Sequence, residues 1–424
     1  MSLPHLAEFG WRATVLAVSP EHVEGLQDPL LLETVPSSTR VVRTPALSAR
    51  RTRYFGVGNL ALRAFPFLKR EGDRLFSTEH FDLVFFSTTA FPVMALGRHW
   101  LKRRRVPYVL DFQDPWFSEY FSSNGETPPG GRFKYGMSQK LAQWLEPYAL
   151  KKASHIISVS PGYREMLLKR YEWLSSESFT VLPFGAAEGD FDCARSSKVE
   201  QRFFDPSDGM THWVYVGCAG TSMSFTARAF LCAVADARRA DSARWKNVRI
   251  HFIGTDYAPA EQARKTIQPI AGELGLSEIV EEVTDRIPYL QALHCMLDAD
   301  ALIVLGSDDP TYTPSKIYPY ILANKPLLVL AHKQSSAVDV LRATNAGTMV
   351  TFATGESISE VSQRIGSAWF ASVPTDRPMT DWTAMARYSA REMTRKLSAV
   401  FDVAVPTQRV TTSANGRQRE SSHL

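Results

Sequence analysis

Short apolar runs and longer helix-length segments alternate through most of the chain. The runs are rich in β-branched residues and are about as long as one strand, which is typical of parallel sheets built from strand–helix–strand units. In the first half this pattern predicts strands at 13–18, 83–87, 108–111, 156–160 and 180–183. In the second half it predicts strands at 213–217, 248–253, 301–305, 327–330 and 348–352.

Two separate groups of strands predict two domains. A chain of 424 residues exceeds what one hydrophobic core usually supports. We therefore predict an α/β fold of two Rossmann-like, doubly wound parallel-sheet domains that face a cleft. The predicted divisions are a first domain at 1–185, a polar linker at 186–209, a second domain at 210–380, a last helix at 381–403 with helical spacing over 385–401, and a disordered tail at 404–424.

Composition narrows the class of protein. Of all residues, 44% are hydrophobic and 22% are charged, as in globular proteins, and no apolar run is long enough to span a bilayer. The four cysteines lie far apart without a C-x-x-C pair, which favours reduced thiols over disulfides or structural zinc. The N-terminus lacks a basic region followed by an apolar core. These features predict a cytoplasmic protein.

The positive charges cluster, although the net charge is only +4. Many fall in the first quarter of the chain: Arg50, Arg51, Arg53, Lys69, Arg70, Lys102, Arg103, Arg104 and Arg105. Several are interleaved with aromatic and aliphatic residues such as Phe65, Trp100 and Leu101. The pattern allows two interpretations, a surface that lies on anionic lipid and a solvated basic face. No nucleic-acid-binding module accompanies the charge, so no nucleic-acid partner is predicted.

Two acidic residues stand at the end of a predicted buried strand. Asp111 is still on the strand, and Asp114 follows it directly before Pro115. A carboxylate at this edge could orient or deprotonate an acceptor hydroxyl group. Alternatively, Asp114 caps a helix with Pro115 at the first helical position. Asp111 is harder to explain as a cap, which favours a functional role for it.

A second strand end carries a lysine. After the strand at 301–305 and a loop, Ser315 could cap a helix whose first turn holds Lys316. A lysine in the first turn opposes the helix dipole by about 0.3–1 kcal/mol, and a bound phosphate would remove that conflict. Lys316 could instead reach Asp308 or Asp309 across the loop. Both interpretations remain open on this segment alone.

Short motifs stand at successive strand ends. They read Asp111-Phe112-Gln113-Asp114-Pro115-Trp116, Ile157-Ser158-Val159-Ser160-Pro161-Gly162-Tyr163, Val181-Leu182-Pro183-Phe184-Gly185, Val214-Tyr215-Val216-Gly217, Ile253-Gly254 and Ser315-Lys316-Ile317-Tyr318-Pro319-Tyr320. In order and spacing, along almost the whole chain, they resemble family 4 glycosyltransferases of the GT-B fold. The resemblance implies a retaining, metal-independent transfer of a sugar, without a cofactor, from a UDP-, GDP- or similar donor to a glycan or lipid-linked acceptor. Such transfers are common in polysaccharide or lipopolysaccharide assembly.

The resemblance also assigns residues to the two sides of the cleft. Asp111 and Asp114 fall on the acceptor side as the candidate catalytic residues. The donor side is expected to comprise Gly217, Gly220, Gly254, Arg286, Ile287, Ser315, Lys316 and Tyr318. Gly217 and Gly220 would lie beside the diphosphate, Arg286 and Ile287 beside the nucleobase, and Lys316 with Ser315 at the phosphates or the sugar. The last helix is expected to cross back onto the N-terminal domain.

Some positions depart from the family pattern. Cys218 stands where many relatives have an arginine, which leaves Arg228 and Lys316 as the available cations. Thr311 and Pro319 replace a pair of glutamates, and Gln113 replaces a histidine. By resemblance, the first strand and its glycine-rich loop are missing. The alternative function is a non-catalytic GT-B relative that binds a partner or a glycan, and an epimerase or phosphorylase is a weaker one. D-x-D pairs at 190–192 and 298–300 are expected to bind no metal.

Overall fold

A computed structural model describes residues 1–24, 27–54, 57–117, 131–256, 258, 262–309, 315–371 and 377–405. In these ranges the strands are β1 (Thr14–Val18), β2 (Arg40–Thr44), β3 (Val84–Ser87), β4 (Tyr108–Phe112), β5 (His155–Ser158), β6 (Phe179–Val181), β7 (Thr211–Val216), β8 (Val248–Ile253), β9 (Val280–Val283), β10 (Ala301–Leu305), β11 (Leu327–His332) and β12 (Thr348–Phe352). Every predicted strand is present. The sequence pattern missed β2 and β9.

Helices connect the strands. In the described ranges they are α1 (Ala49–Arg53), α2 (Leu60–Thr78), α3 (Ala95–Arg104), α4 (Arg132–Leu150), α5 (Pro161–Arg170), α6 (Glu188–Ser196), α7 (Ser224–Ala240), α8 (Gln268–Glu273), α9 (Tyr289–Asp298), α10 (Ile317–Leu322), α11 (Ser336–Thr344), α12 (Ile358–Ile365), α13 (Trp382–Ala386) and α14 (Ala390–Ala404). Short 3-10 helices include Leu6–Phe9, Pro29–Thr34 and Thr221–Met223.

All strand pairs are parallel, and the strands form three sheets. The second half of the chain builds a continuous six-stranded sheet in the order β12-β11-β10-β7-β8-β9. The first half builds a four-stranded sheet, β3-β4-β5-β6, and a separate two-stranded sheet, β1-β2. Among the described residues no strand pairing joins the two-stranded sheet to β3. The architecture is the expected pair of Rossmann-like α/β units, with the first unit's sheet divided.

Each large sheet is covered on both faces. Successive residues of β7 point to opposite sides, so Trp213 and Tyr215 enter one apolar core while Val214 and Val216 enter another. In the four-stranded sheet, Leu110 likewise faces the core formed with α2 and α3. Near-continuous apolar strands are the sequence signature of a sheet buried in this way.

The last helix packs on the first unit. Met393, Leu397, Val400 and Phe401 of α14 form a core cluster with Val109 of β4 and other residues of that sheet. The chain passes very close to the start of α14 at Gly185, where a Cβ atom would lie 2.8 Å from the Cα of Ala390. This close approach explains a glycine at 185. The predicted single helix over 385–401 is in fact two, α13 and α14.

Two other sequence expectations change. The stretch 186–209 is not a plain polar linker, because α6 lies in it and buries Phe191 and Ala194 against the second unit's core. Several apolar residues interleaved with the basic cluster also face inward: Trp100 is buried, and Phe65 and Leu101 pack against the core of the first unit, whereas Tyr54 is exposed. The expected tail at 404–424 lies outside the described residues from 406 onward.

Candidate functional site

A large cavity separates the two sheets of the first unit. Its volume is about 1820 Å³, and it is lined by residues of both β1 and β3, by the last helix, and by Asp111 and Gln113 at the carboxyl end of β4. Ligands of open α/β folds bind outside the carboxyl ends of the strands. The cavity therefore reaches the edge at which a substrate is expected.

Asp111 is held in place on the wall of this cavity. Its Oδ2 accepts hydrogen bonds from the Ser87 hydroxyl at 3.0 Å and from Nε2 of Gln113 at 2.9 Å. Burial raises the pKa of the carboxyl group, and these two hydrogen bonds oppose the rise. Gln113 Nε2 also lies 2.9 Å from the Ser87 hydroxyl, which closes a three-membered network. A buried carboxylate fixed by two donors has one oxygen left for a further partner.

Asp114 lies at the rim of the same strand end. Its side chain is exposed, yet the surrounding walls desolvate it enough to raise its pKa. The residues that follow it, up to Phe117, form bends, so no helix begins at Pro115 and the predicted cap is wrong for the described residues. Residues 118–130 lie outside the described ranges.

A buried glutamate fastens the loop that carries Asp114. Glu146 of α4 accepts a hydrogen bond from the backbone N–H of Phe117 at 3.1 Å, and its carboxylate pairs with Arg170 at 2.7 Å. Arg170 also lies 4.5 Å above the Phe117 ring. The loop is thus anchored three residues beyond Asp114 rather than by a helix cap.

Tyr163 links the two halves of the molecule electrostatically. Burial raises the pKa of this residue, which lies near the start of α5, to about 12, and the nearby carboxylates of Asp114 and Asp309 add to the rise. Asp114 follows β4 in the first unit and Asp309 follows β10 in the second. Two carboxylates that follow strands of different sheets therefore both lie near Tyr163.

Lys316 lies at the corresponding edge of the second sheet. Its ammonium group donates hydrogen bonds to the Tyr215 hydroxyl at 2.7 Å and to the carbonyl of Cys218 at 3.2 Å, and it stands 4.6 Å from the centre of the Tyr215 ring. Burial lowers the pKa of Lys316 to about 8. The alternative in which Lys316 pairs with Asp308 or Asp309 is not the arrangement in the structure.

Gly217 provides the space for this lysine. Its φ of +128° is a conformation that side chains rarely adopt, and an added Cβ atom would lie 3.1 Å from the Lys316 nitrogen. The turn after β7 therefore needs glycine for its backbone and for the lysine that crosses it. The resulting contact joins two sequence motifs that are about a hundred residues apart.

A helix N-terminus adjoins the lysine. Gly220 begins the 3-10 helix Thr221–Met223, which runs directly into α7, and neither helix has a side-chain cap at its start. The N–H groups of Met223 and Ser224 donate to the carbonyls of Gly220 and Thr221, so the positive end of the combined helix dipole lies at the start of the 3-10 helix. Thr226 Oγ1 donates to the carbonyl of Gly306 at 2.8 Å, which fixes the helix to the end of β10.

Arg286 approaches the same loop from β9. Burial raises the pKa of the Cys218 thiol, and the positive charges of Lys316 and Arg286 lower it in part. Gly254, at the end of β8, has a φ of +74°. The structure thus brings together four of the predicted donor-side residues, Gly217, Gly254, Arg286 and Lys316.

The structure corrects the donor role of Tyr318 and the helix cap of Ser315, while the donor roles of Ile287 and Ser315 stay predictions. Tyr318 is buried in the core and packs against Tyr388, so its side chain is not presented to a ligand. Ile287 packs against the same core. Ser315 does not cap the helix, because α10 begins at Ile317 with Lys316 as its N-cap residue and without a side-chain cap. Arg228, considered as a second cation, pairs with Glu273 at 2.9 Å.

The acidic pairs considered as metal ligands have other partners. Asp190 accepts from the hydroxyl of Tyr289 at 3.0 Å, and Asp300 accepts from the backbone N–H of His212 at 2.7 Å. Asp192 pairs with Arg195 at 3.3 Å. Within the described ranges, no group of three or more histidine, cysteine or acidic side chains is arranged to hold a metal ion.

Sequence reasoning missed residues that organise the site. Tyr215 receives the ammonium of Lys316, and Tyr163 stands between the two halves. Glu282, buried in β9, accepts hydrogen bonds from the N–H groups of Ile267 and Gln268 at 2.9 and 2.8 Å and thereby caps α8. A pair of glutamates between two valines, of which alternation turns one inward, was the available signal for Glu282.

Comparison with known proteins decides the family. Residues 3–185 match the family described as "Glycosyl transferase 4-like domain". This part of the chain is a glycosyltransferase 4-like domain. The resemblance to family 4 glycosyltransferases is therefore confirmed. No curated protein matches the chain by sequence.

Solved structures show that the whole chain has the GT-B fold. It is similar to HepE of Anabaena in complex with UDP, with 14% identity, a TM-score of 0.58, and coverage of 92% of this chain and 100% of that one. It is similar to a glycosyltransferase of Rickettsia africae, with 12% identity, a TM-score of 0.55 and coverage of 93% and 99%. It is also similar to sucrose-phosphate synthase of Thermosynechococcus elongatus, with 13% identity, a TM-score of 0.54 and coverage of 94% and 90%.

In the part of the chain that the structure describes, no helix is long and apolar enough to cross a bilayer.

Proposed function

We propose that this protein transfers a sugar from a nucleotide donor to a hydroxyl group of a glycan or lipid-linked acceptor. The observation that carries the proposal is the contact of Lys316 with the Gly217 turn, beside the start of the 3-10 helix that leads into α7. A desolvated cation and the positive end of a helix dipole at one strand edge match a diphosphate. The complex of HepE with UDP supports a uridine nucleotide as the first donor to test.

The donor side would stabilise the leaving group. When the bond between the sugar carbon and the diphosphate oxygen breaks, negative charge develops on the diphosphate and positive charge on the sugar. Lys316 and the amides after Gly220 are fixed before the reaction, so they can stabilise that oxygen without rearrangement. Arg286 is exposed at the end of β9 and would border the nucleobase, as the resemblance implies.

The acceptor side would position the incoming hydroxyl group. The raised pKa values of Asp111 and Asp114 bring both carboxyl groups closer to neutral pH, where a carboxylate is a more effective base than at its ordinary pKa. We assign Asp111 the positioning of the acceptor hydroxyl and Asp114 the acceptance of its proton. Retention of the sugar's configuration, independence of metal ions and transfer of a hexose are parts of the proposal that come from the family resemblance.

Location also stays a proposal. The cysteines in the structure are all free thiols, which supports a reducing compartment such as the cytoplasm. Polysaccharide or lipopolysaccharide assembly is the process that the family resemblance favours.

A two-stage experiment tests the activity. Calorimetry with UDP, GDP and their sugar conjugates first identifies the donor. Release of the free nucleotide is then measured with that donor, with and without glycan and lipid-linked acceptors. We expect acceptor-stimulated release. Tight donor binding without any release or transfer would instead support the non-catalytic alternative.

A further inference from the structure

Helix α4 carries a second apolar surface on the side that faces solvent. Phe133 and Trp144 are 80% and 83% exposed, and Met137 and Tyr148 are 52% and 42% exposed. With the half-buried Leu141 they recur at intervals of four, four, three and four residues, which places them on one face of a helix. We call these five residues the apolar stripe. Large side chains at this exposure normally have something to cover them.

The opposite face of α4 is firmly attached to the protein. Ala142, Ala149 and Leu150 are buried in the core of the first unit. Glu146 is buried in an ion pair with Arg170 at 2.7 Å, and the Tyr108 hydroxyl donates to the carbonyl of Ala149 at 2.6 Å. The helix cannot rotate to bury its stripe without breaking these contacts. The stripe is therefore a fixed outward-facing surface.

Positive charge borders the stripe. Every basic residue in and just beyond the helix is exposed: Arg132, Lys134, Lys140, Lys151 and Lys152. The acidic residue of the same stretch is Glu146, which is turned inward. Arg98 of α3 stands 4.4 Å above the ring of Tyr148, and Lys102, one turn further along α3, is exposed. The stripe is thus surrounded by cations without exposed carboxylates on its own helix.

We infer that the apolar stripe of α4 docks on an anionic lipid surface. A helix that lies in a membrane interface combines aromatic and aliphatic side chains on one face with flanking lysines and arginines, which is the composition found here. Aromatic rings such as those of Trp144 and Tyr148 suit the headgroup level of a bilayer. A second protein copy would bring the same cations against each other, so charge favours lipid as the occupant.

This surface differs from the basic cluster that the sequence analysis considered for lipid contact. Phe65 and Trp100 of that cluster pack into the core, whereas the stripe of α4 is exposed. The inference does not rest on the proposed transfer activity, because lipid binding is measured on the protein alone.

Vesicle co-sedimentation tests the inference. The full chain is mixed with two kinds of phosphatidylcholine vesicle. One kind contains about 30–40% phosphatidylglycerol as the anionic lipid, and the other contains none. We expect binding to the anionic vesicles, weaker binding to the neutral ones, and a loss of binding as salt is raised. The double variant Phe133→Ser/Trp144→Ser should bind at least about tenfold more weakly. Lys134→Gln/Lys140→Gln should lose binding to the anionic vesicles in particular.

A matched control distinguishes binding through the apolar stripe from non-specific binding through any exposed aromatic residue. Trp382 is also an exposed tryptophan, at 45%, but it lies on α13. Trp382→Ser should bind vesicles as the unchanged protein does. Circular dichroism confirms that each variant is folded. Equal vesicle binding by the stripe variants and Trp382→Ser would overturn the inference, and so would a dimer in sedimentation velocity that Trp144→Ser dissociates.

Discussion

The two halves of the molecule carry side chains of opposite charge at their strand ends, one in a compact site and the other beside a large cavity. In the second half a continuous six-stranded sheet carries a desolvated cation, Lys316, beside a glycine turn. In the first half the sheet is divided around a cavity of about 1820 Å³, and its edge carries the carboxyl groups of Asp111 and Asp114. In the second half the site is compact, whereas in the first it opens into a large space.

The contrast indicates which kind of ligand each half suits. Burial lowers the pKa of Lys316 and raises the pKa of Asp111. In each half, an ionisable side chain therefore lies in an environment that disfavours its charged form. A ligand of the opposite charge, or a proton in transit, relieves that cost. Perturbed groups of this kind gather at functional sites. The compact half suits an invariant diphosphate, and the open half suits acceptors of varied size.

Removal of the lysine should have the largest effect. We expect Lys316→Met to lower transfer by about 100-fold or more, because a fixed cation at the leaving oxygen is lost. The melting temperature should stay the same or rise, since a buried ammonium no longer has to be desolvated. Lys325→Met is the control, because burial also lowers the pKa of Lys325, which lies near Asp300 and Asp298 rather than at the cleft. Steady-state kinetics and thermal unfolding on both variants make the test, and equal transfer by both would contradict it.

Loss of the buried carboxylate should follow. Asp111→Asn keeps an oxygen for Ser87 and Gln113 but cannot hold a negative charge, so we expect transfer to fall by about 10- to 100-fold with the fold retained. Asp402, which lines the far side of the same cavity, provides the control Asp402→Asn. A fall in melting temperature with unchanged kinetics in Asp111→Asn would reduce that residue to a structural role.

A single methyl group at the turn should have a smaller effect. In Gly217→Ala the new Cβ atom would lie 3.1 Å from the Lys316 nitrogen and displace it, so we expect donor affinity to fall by about tenfold. Gly209→Ala meets the same kind of backbone strain, with a φ of +78°, but nothing lies within 4 Å of its Cβ position. Calorimetry should show weaker donor binding in the first variant alone, and an equal loss in both would point to strain instead.

The pH dependence of stability should show the smallest effect. Lys316 has its pKa lowered from 10.5 to about 8, so between these values the unfolded chain holds a proton that the folded one has released. The free energy of unfolding should therefore rise with pH over this window in the unchanged protein, relative to Lys316→Met. Denaturant titrations at pH 7.5, 9 and 10 measure the difference. If the free energy of unfolding changes with pH in the same way in both proteins, the ammonium of Lys316 is not desolvated in the folded protein.

The sequence predicts the strands that contain apolar runs, at sheet edges as well as in the centre, and misses two edge strands that are rich in charged residues. The apolar runs of β7, β10 and β11 are buried on both faces and were recognisable as strands. β2 reads Arg-Val-Val-Arg-Thr and β9 reads Val-Glu-Glu-Val, and both lie at sheet edges, where polar residues are tolerated. Because these strands contain few apolar residues, a search for hydrophobic runs does not detect them.

The site was predictable only in part. Strand ends marked Asp111, Gly217 and Lys316, because the carboxyl edges of parallel sheets are where ligands bind. The partners of these residues come from distant segments: Lys316 meets Tyr215 across 101 positions, and Asp111 meets Ser87 across 24. Tyr318 was misassigned because its motif position did not reveal that its ring faces the core. Such pairings depend on tertiary packing, which periodicity does not encode.

The most direct test of the account is the affinity for UDP, or for whichever nucleoside diphosphate binds best, measured by calorimetry from pH 7 to 9.5 in the unchanged protein and in Lys316→Met. If the ammonium of Lys316 holds the diphosphate, affinity in the unchanged protein should be constant at lower pH. It should fall as the pH passes about 8, which is the pKa of Lys316 in the protein without ligand. The variant should bind weakly with no such fall. The same affinity and the same pH profile in both proteins would contradict the account.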